Sequence, residues 1–468
     1  MPSCPLSDRL LSGVVLLVLW GCAPVGPDHE VPGMELPATF SQGGVRWKRQ
    51  TPASQPEPRA WWRLYQDGVL TSLVECALAH NQDLAASAAR MRQARAMSEV
   101  ARSLYFPDIN LGTTVNRAKT RFLGATSSAM LESNFIVPVD FSYEVDVWGK
   151  VRRQVESAGA SAAAAGETLH ALRLSVAGEV AQTYWALRAV DADRAVLTRT
   201  VEIRRRALEL LTKRRDAGSI SGLDLARAET EVATAEAGRI RLDQDRVGLV
   251  NALAVLTGST ASGFTVAEQV VLPTPPSVPV SVPSELLRQR PDIRAAERRV
   301  AAANADIGVV TATFYPSFVI NANGGLSAAR LADLLQASSL VWSLGANAAV
   351  PITRGKRIKA QQRAALAAHE AVSAEYRQTV LESIREVENA LQGAAILVRR
   401  QAVQDQALEA ARKTFELSAK RFKSGLVSFL DVVDAERTRL QAEQAANAIR
   451  AERLAVSVSL IKALGGEW

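Results

Sequence analysis

The sequence predicts a mainly α-helical fold that also carries membrane-type β-strands, built as two tandem copies of one design. Three observations predict it. The stretch "AGSISGLDLARAE" (Ala217–Glu229) returns as "SGLVSFLDVVDAE" (Ser424–Glu436), so Gly218, Leu223, Asp224 and Glu229 match Gly425, Leu430, Asp431 and Glu436 at one constant offset. Each copy holds runs that alternate apolar and polar residues with period two, the signature of strands with unlike faces. Finally, Val151 to Ala217 contains no proline. At about 1.5 Å per residue such a run exceeds any ordinary globular helix.

The first element is a targeting segment. Leu10–Trp20 is an apolar run preceded by Arg9, too short to span a bilayer as a helix and suited to a signal-peptide core. It ends in "LWGC", which resembles the lipobox of bacterial lipoproteins and makes Cys22 the lipidated first residue. Ala23 follows, and the resemblance directs such a protein to the outer membrane. Acyl chains contribute about 0.8 kcal/mol per buried CH2, so several give a firm anchor. The organisation expected is a leader at 1–21, an extended segment at 22–62, a first repeat at 63–258, a linker at 259–283 and a second repeat at 284–468.

Within each repeat the expected order is helix, strand, loop, strand, very long helix, tight turn, helix. Further matches at nearly the same offset support it: Asp83 with Asp292, Arg90 with Arg299, Pro107 with Pro316, Gly149-Lys150 with Gly355-Lys356, and Gly258 with Gly465. From Phe135 to Val147 the odd positions are Phe135, Val137, Val139, Phe141, Tyr143, Val145 and Val147. Between them lie Asp140, Ser142, Glu144 and Asp146. Pro138 inside this run predicts a bulge or irregular pairing. Ile109, Leu111, Thr113 and Val115 alternate likewise, as do Phe318, Ile320 and Ala322, and Trp342, Leu344, Ala346, Ala348 and Val350. A soluble sandwich with one wet face would fit the alternation. A carboxylate-bearing face opposite an aromatic one also fits a membrane barrel with a watery lumen. Four strands close no barrel, and an open edge is not tolerated in lipid. Three copies would supply about twelve strands, a size such barrels adopt.

The long helices carry heptad spacing: Leu187, Val190, Leu197, Val201, Leu208 and Leu211, interrupted by Arg194 and Arg204, then Val380, Ile384, Val387, Leu391, Ala394 and Val398. Abundant alanine lets helices approach on several sides, as in a tube of helices. A plain coiled coil is the alternative, but it leaves the strands unexplained. Gly218 and Gly425 end the long helices where a left-handed cap is expected. Asp224 and Asp431 sit just inside the next helices, where a carboxylate meets the positive helix end. Leu272–Pro283, rich in proline, reads as an extended linker.

Composition excludes several functions. The net charge of +7 is mild for 468 residues, and no dense basic block interleaved with aromatics appears, which argues against nucleic acid. His29, His80, His170 and His369 lack metal-ligand spacing. Cys76 reads as a small core residue, and three cysteines make no disulfide framework. "RGKR" at Arg354 is a strand-to-helix turn, not a phosphate loop. No catalytic residue, metal or cofactor is expected. Asp140, Glu144 and Asp146 read as a solvated lumen face that would favour cations.

Five motifs in order carry a family resemblance: "GCAPVGPDHEVP" (Gly21–Pro32), "WWRLYQD" (Trp61–Asp67), "DVWGK" (Asp146–Lys150), "LLRQRPDIRAAE" (Leu286–Glu297) and "ALGGEW" (Ala463–Trp468). With them the chain resembles TolC-like outer-membrane efflux proteins of the OprM/NodT lipoprotein branch. The resemblance implies a homotrimer whose shared twelve-stranded barrel sits in the outer membrane, with a twelve-helix tube in the periplasm. It implies a periplasmic adaptor and an inner-membrane pump, of RND type, as partners. It places the two turns at the periplasmic tips, where Gly218, Ser219, Ile220, Ser221, Gly425, Leu426, Val427 and Ser428 are exposed candidates for adaptor contact. It also implies a gate of leucine and aspartate rings, matched here by Leu430 and Asp434 with Arg421 and Arg437 as their partners. The first copy has Leu223 but Arg227 at the place of Asp434, so only the second copy is expected to supply the acidic ring. Small-molecule efflux is the leading function. A protein-secretion duct and a non-conducting coiled-coil lipoprotein are the alternatives, which an adjacent transporter gene and a conductance measurement would separate.

Overall fold

A computed structural model of the chain describes residues 24–35, 60–121, 129–276 and 289–466. Cys22 lies outside them. The elements are α1 (Gly68–His80), α2 (Gln82–Ser103), β1 (Asp108–Leu111), β2 (Thr114–Arg121), β3 (Ala129–Val145), α3 (Lys150–Asp216) and α4 (Gly222–Leu256), then α5 (Pro291–Ala312), β4 (Ser317–Ala328), β5 (Leu340–Ala349), α6 (Gly355–Lys423) and α7 (Phe429–Ala463). A 3-10 turn, Trp61–Tyr65, precedes α1. Two compact units form. One comprises Met1–Gly33, Arg90–Gly166 and Ala295–Arg377, the other Met34–Ala89, Glu167–Arg294 and Gln378–Trp468. They cut across the repeat: each copy contributes its strands to the first unit and its helical hairpin to the second.

The first unit holds one antiparallel sheet in the order β1–β3–β4–β5, with β2 also paired to β3. β1 and β2 occupy a single edge position. Leu111 faces Val139 and Thr114 faces Ile136, so the register runs on unbroken from one to the other. The interruption lies opposite Pro138. The Gly112 N–H donates to the Pro138 carbonyl (3.0 Å), but Pro138 has no N–H to return the bond. The irregular pairing expected at Pro138 is therefore a missing ladder bond, not a bulge. Four strand positions result.

Residues directly opposite in an antiparallel pair share a face. Val139, Phe141, Tyr143 and Val145 lie opposite Gly324, Ala322, Ile320 and Phe318. These in turn lie opposite Trp342, Leu344, Ala346 and Ala348. The apolar face thus runs unbroken across three strands, and Trp342 stands 77% exposed and Leu344 70%. Among the described residues no second sheet packs on this face, against the sandwich alternative. The other face is amide-rich: Asp140 accepts from Asn323, and Asn134 bonds Ser327. Among the described residues no helix is long and apolar enough to cross a membrane.

The second unit is helical. Its core joins Leu70, Val74 and Ala77 of α1 to Val180, Tyr184, Trp185 and Leu187 of α3, Leu253 of α4, and Leu454, Val458 and Ile461 of α7. Trp61, Trp62 and Tyr65 complete it, with Tyr65 5.3 Å from Trp185 by ring centroids and its hydroxyl 2.6 Å from Ser457 Oγ. Asp67 starts α1 by accepting from the Val69 and Leu70 amides; its other oxygen takes the Tyr184 hydroxyl at 2.6 Å. The heptad residues Leu187, Leu197, Val201, Leu211, Val380, Val387 and Leu391 are buried, whereas Val398 is exposed and Leu397 takes the inner place. Cys76 is half-buried, not fully in the core.

The early part of the expected linker is docked. Arg188, buried, donates to Asp191 and to the Ala267 carbonyl, both at 2.7 Å. Arg246 donates to Asp191 (2.8 Å) and to the Val266 carbonyl (2.6 Å). Burial of Arg188 and Asp191 is tolerable because each meets an opposite charge, with Arg246 half-buried beside them.

Candidate functional site

The two tight turns are built by the same chemistry. At the end of α3, Gly218 has φ +68°; its N–H donates to Arg215 O and that of Ser219 to Arg214 O, both at 2.8 Å. At the end of α6, Gly425 has φ +74°, with its N–H on Phe422 O and the Leu426 N–H on Arg421 O, both at 3.0 Å. Each is a Schellman motif, in which a left-handed residue turns the last amides back onto open carbonyls. Glycine is required because a side chain at positive φ is strained.

The helices after the turns begin on serines. Ser221 caps α4, its Oγ accepting from the Asp224 N–H at 3.3 Å. Ser428 caps α7 in a full capping box: its Oγ accepts from Asp431 N–H (3.4 Å), while Asp431 accepts from the Ser428 N–H (2.8 Å) and hydroxyl (2.7 Å). That hydroxyl, then the backbone amide, hold the Asp431 carboxyl below its ordinary range. Sequence reading placed Asp224 and Asp431 at the helix starts but missed the S-x-x-D spacing that names Ser221 and Ser428 as the caps.

The tips are only partly the exposed set expected. Gly218, Ser219, Ser221, Gly425, Leu426 and Ser428 are exposed, but Ile220 and Val427 are half-buried. Ile220 packs with Leu208, Leu211, Leu225, Ala228, Phe422 and Phe429 in a small apolar cluster joining the two hairpins. An isoleucine beside two phenylalanines leaves water to bury apolar area. Leu223 and Leu430 remain exposed, at 60% and 46%.

Asp434, one turn after Leu430, is exposed, and its carboxylate has no hydrogen bond or ion pair among the described residues. Among the described residues neither expected arginine pairs with it. Arg437 donates instead to Glu231 of the first hairpin, whose carboxylate, ahead of the nearby Asp434, raises the Arg437 pKa. Among the described residues the Arg421 side chain has no ion pair; its carbonyl accepts from the Leu426 N–H. Arg227 lies 3.8 Å from Asp224.

What sequence reading missed is a buried charge cluster behind the tips. Arg204 pairs with Glu231 (2.9 Å) and with Glu436 (3.0 Å), all three being buried. It ties α3 and α4 to α7. Arg204 interrupts the heptad pattern, and that interruption was the available signal.

In the sheet unit the three carboxylates separate. Asp140 accepts from Asn323, and Glu144 pairs with Lys150 (3.0 Å). Asp146 lies beyond the end of β3, which stops at Val145 and not at Val147. It accepts from the Val151 and Arg152 amides (3.0 and 2.9 Å) and from the Arg152 side chain. It therefore starts α3 and is not a strand-face carboxylate.

Against known proteins, the outer membrane efflux protein family matches residues 73–259 and 282–466. Over 466 residues the chain is 31% identical to the pyoverdine export outer membrane protein OpmQ of Pseudomonas aeruginosa, covering 98% of this chain and 96% of that protein. It is 28% identical to the toluene efflux pump outer membrane protein TtgF of Pseudomonas putida, covering 99% and 98%. The solved structure of the outer-membrane channel OprN superposes with a TM-score of 0.86 at 30% identity, covering 95% and 99%.

Proposed function

The chain belongs to the outer membrane efflux protein family, and from that membership we propose how it forms and closes its duct. It is an outer-membrane efflux channel subunit with the TolC-like fold, and it is not an enzyme. In our reading three copies join sheet edge to sheet edge, β5 of one beside β1/β2 of the next, into one twelve-stranded barrel. The observation that carries this is the sheet itself: four strand positions, two open edges and an exposed apolar face, an arrangement lipid does not tolerate in a single copy.

The finer assignments follow from it. The cargo is a small molecule, as the pyoverdine and toluene transport named for the relatives suggests. A periplasmic adaptor binds around Ser219 and Leu426 and links the duct to an inner-membrane pump of the proton-driven RND type. Cys22 carries the lipid anchor. Leu430 and Asp434 from three subunits narrow the periplasmic mouth, and Arg421 reaches Asp434 of a neighbour or stays in solvent. Three aspartates about one axis repel, so the closed mouth is poised and adaptor binding shifts its population toward the open form.

Planar-bilayer conductance tests the gate. Leu430→Ala with Asp434→Ala is expected to raise the resting conductance well above that of the parent. Equal leak in both would remove these residues from the gate.

A further inference from the structure

We propose that the strand-to-helix junction of the second repeat is a binding site for the headgroup of an anionic glycerophospholipid. The site is a cleft of about 690 Å³ at the end of the sheet, lined among others by Trp148, Tyr315, Val350, Ile352, Arg354 and Arg357. It rests on the membrane-inserted reading of the sheet.

The argument begins from a difference between the two copies. Each long helix starts in a cluster of cations around the repeated Gly-Lys. In the first copy every one of them meets a carboxylate: Lys150 meets Glu144 (3.0 Å), Arg152 meets Asp146 (3.3 Å), and Arg153 meets Asp28 (3.0 Å) and Glu156 (2.8 Å). In the second copy Arg354, Lys356, Arg357 and Lys359 are all exposed, and none has an ion-pair partner among the described residues. The first turn of α6 contains no acidic residue. Two carboxylates do line the cleft, Glu144 and Asp146. Both are already committed, the first to Lys150 and the second to two helix amides and Arg152. The charge left uncompensated in the cleft is that of Arg354 and Arg357.

The surroundings choose the anion. On β5 the even-numbered positions form the lipid-facing side: Leu340, Trp342 and Leu344 are exposed. Beyond the strand, which ends at Ala349, Val350 and Ile352 stay 56% and 91% exposed before the turn that holds Arg354. An exposed apolar stretch thus leads directly into an arginine. Beside it Trp148 and Tyr315 stack at 4.7 Å, and the Trp148 indole donates to Pro316 O at 2.8 Å. Paired amphipathic rings with a cationic rim mark headgroup depth, and planar guanidinium groups suit a phosphate diester. The N-terminal segment also reaches this junction: Val25 N–H donates to Trp148 O at 3.0 Å. A soluble phosphate would use the arginines but not the apolar lip. A phospholipid uses both.

The test is native mass spectrometry of the full-length protein extracted in mild detergent, with phosphatidylglycerol or phosphatidylcholine added at equal concentration. The parent is expected to retain phosphatidylglycerol preferentially. Arg354→Gln with Arg357→Gln is expected to lower that retention roughly thirtyfold, since each of the two basic residues near an anionic surface contributes on the order of 1 kcal/mol. Arg199→Gln with Lys413→Gln removes the same charge from exposed helix positions and is expected to retain the lipid. Equal retention by the parent and the junction variant would overturn the proposal, as would a parent that does not discriminate between the two lipids. So would a junction variant whose oligomer loses heat resistance in lipid-free detergent, because the arginines would then be satisfied by a neighbouring copy. Bilayer conductance of the parent reports separately on the membrane-inserted reading.

Discussion

Asp431 and Arg204 show how differently two charges serve one turn. Asp431 is held below its ordinary range by the Ser428 hydroxyl and amide. A carboxylate whose folded pKa is depressed stabilises fully above its unfolded value, about 3.9, and loses that contribution as pH falls through the folded value. Hydrogen exchange at residues 424–431 should therefore quicken below that pH in the parent. Asp431→Asn should exchange faster already at neutral pH and without that step, and a step retained in the variant would assign it elsewhere. Ser428→Ala removes the cap and should cost about 1 kcal/mol. Arg204 is a different case, since it is buried against two carboxylates. Arg204→Met leaves the buried Glu436 without its cation, while Glu231 keeps only Arg437, a loss of about 3–5 kcal/mol when one partner of a buried pair is removed. Limited proteolysis should then cut the hairpins readily, and adding Glu231→Gln with Glu436→Gln should restore much of the resistance. Equal sensitivity in the single and triple variants would mean that packing, not charge, holds the site.

Among the elements, the strands were legible in place and facing, because period-two alternation and pleat are the same fact seen in sequence and in space. They were not legible in length: β2 runs on to Arg121, β3 starts at Ala129 and β4 reaches Ala328. The sheet's one irregularity was legible too, since proline lacks a donor wherever it sits. Pro138→Val should restore the bond to Gly112, join β1 and β2 into one strand, and add about 0.5–1.5 kcal/mol. The temperature at which the detergent-resistant oligomer dissociates would rise; a fall would mean that the proline is needed for curvature. The turns were legible as glycine caps, but Ile220 and Val427 were not legible as half-buried. The burial of Ile220 depends on Phe422 and Phe429 arriving from the other hairpin, and no local pattern carries that information. Asp146 was misplaced for a related reason. Alternation extends past the strand end, and only the start of α3 shows that its oxygens are already taken. The cross-hairpin cluster of Arg204, Glu231 and Glu436 joins residues far apart in sequence, so heptad reading could mark Arg204 as an interruption but could not find its partners.

For the whole molecule the question is whether two copies of one design do one job or two. The repeat builds both turns from the same glycine and serine, yet the exposed positions one turn into the next helices differ: Asp434 in the second copy, Arg227 in the first. Arg227 lies near Asp224, whereas the Asp434 carboxylate has no partner among the described residues. If the second copy alone lines the mouth, selectivity depends on Asp434 and not on Arg227. Reversal potentials across a potassium chloride gradient separate these cases. Asp434→Asn should move the reversal potential toward that of a non-selective pore, and Arg227→Asn should leave it unchanged. The Asp434 effect should fade with salt, because exposed charges are screened over about 10 Å at 0.1 M and about 3 Å at 1 M. A shift from Arg227→Asn of equal size and opposite sign would place both copies at the mouth and return the gate to a six-fold design. A shift from Asp434→Asn that persists at 1 M salt would mean that the carboxylate acts by contact with the permeating ion, at the narrowest point of the duct.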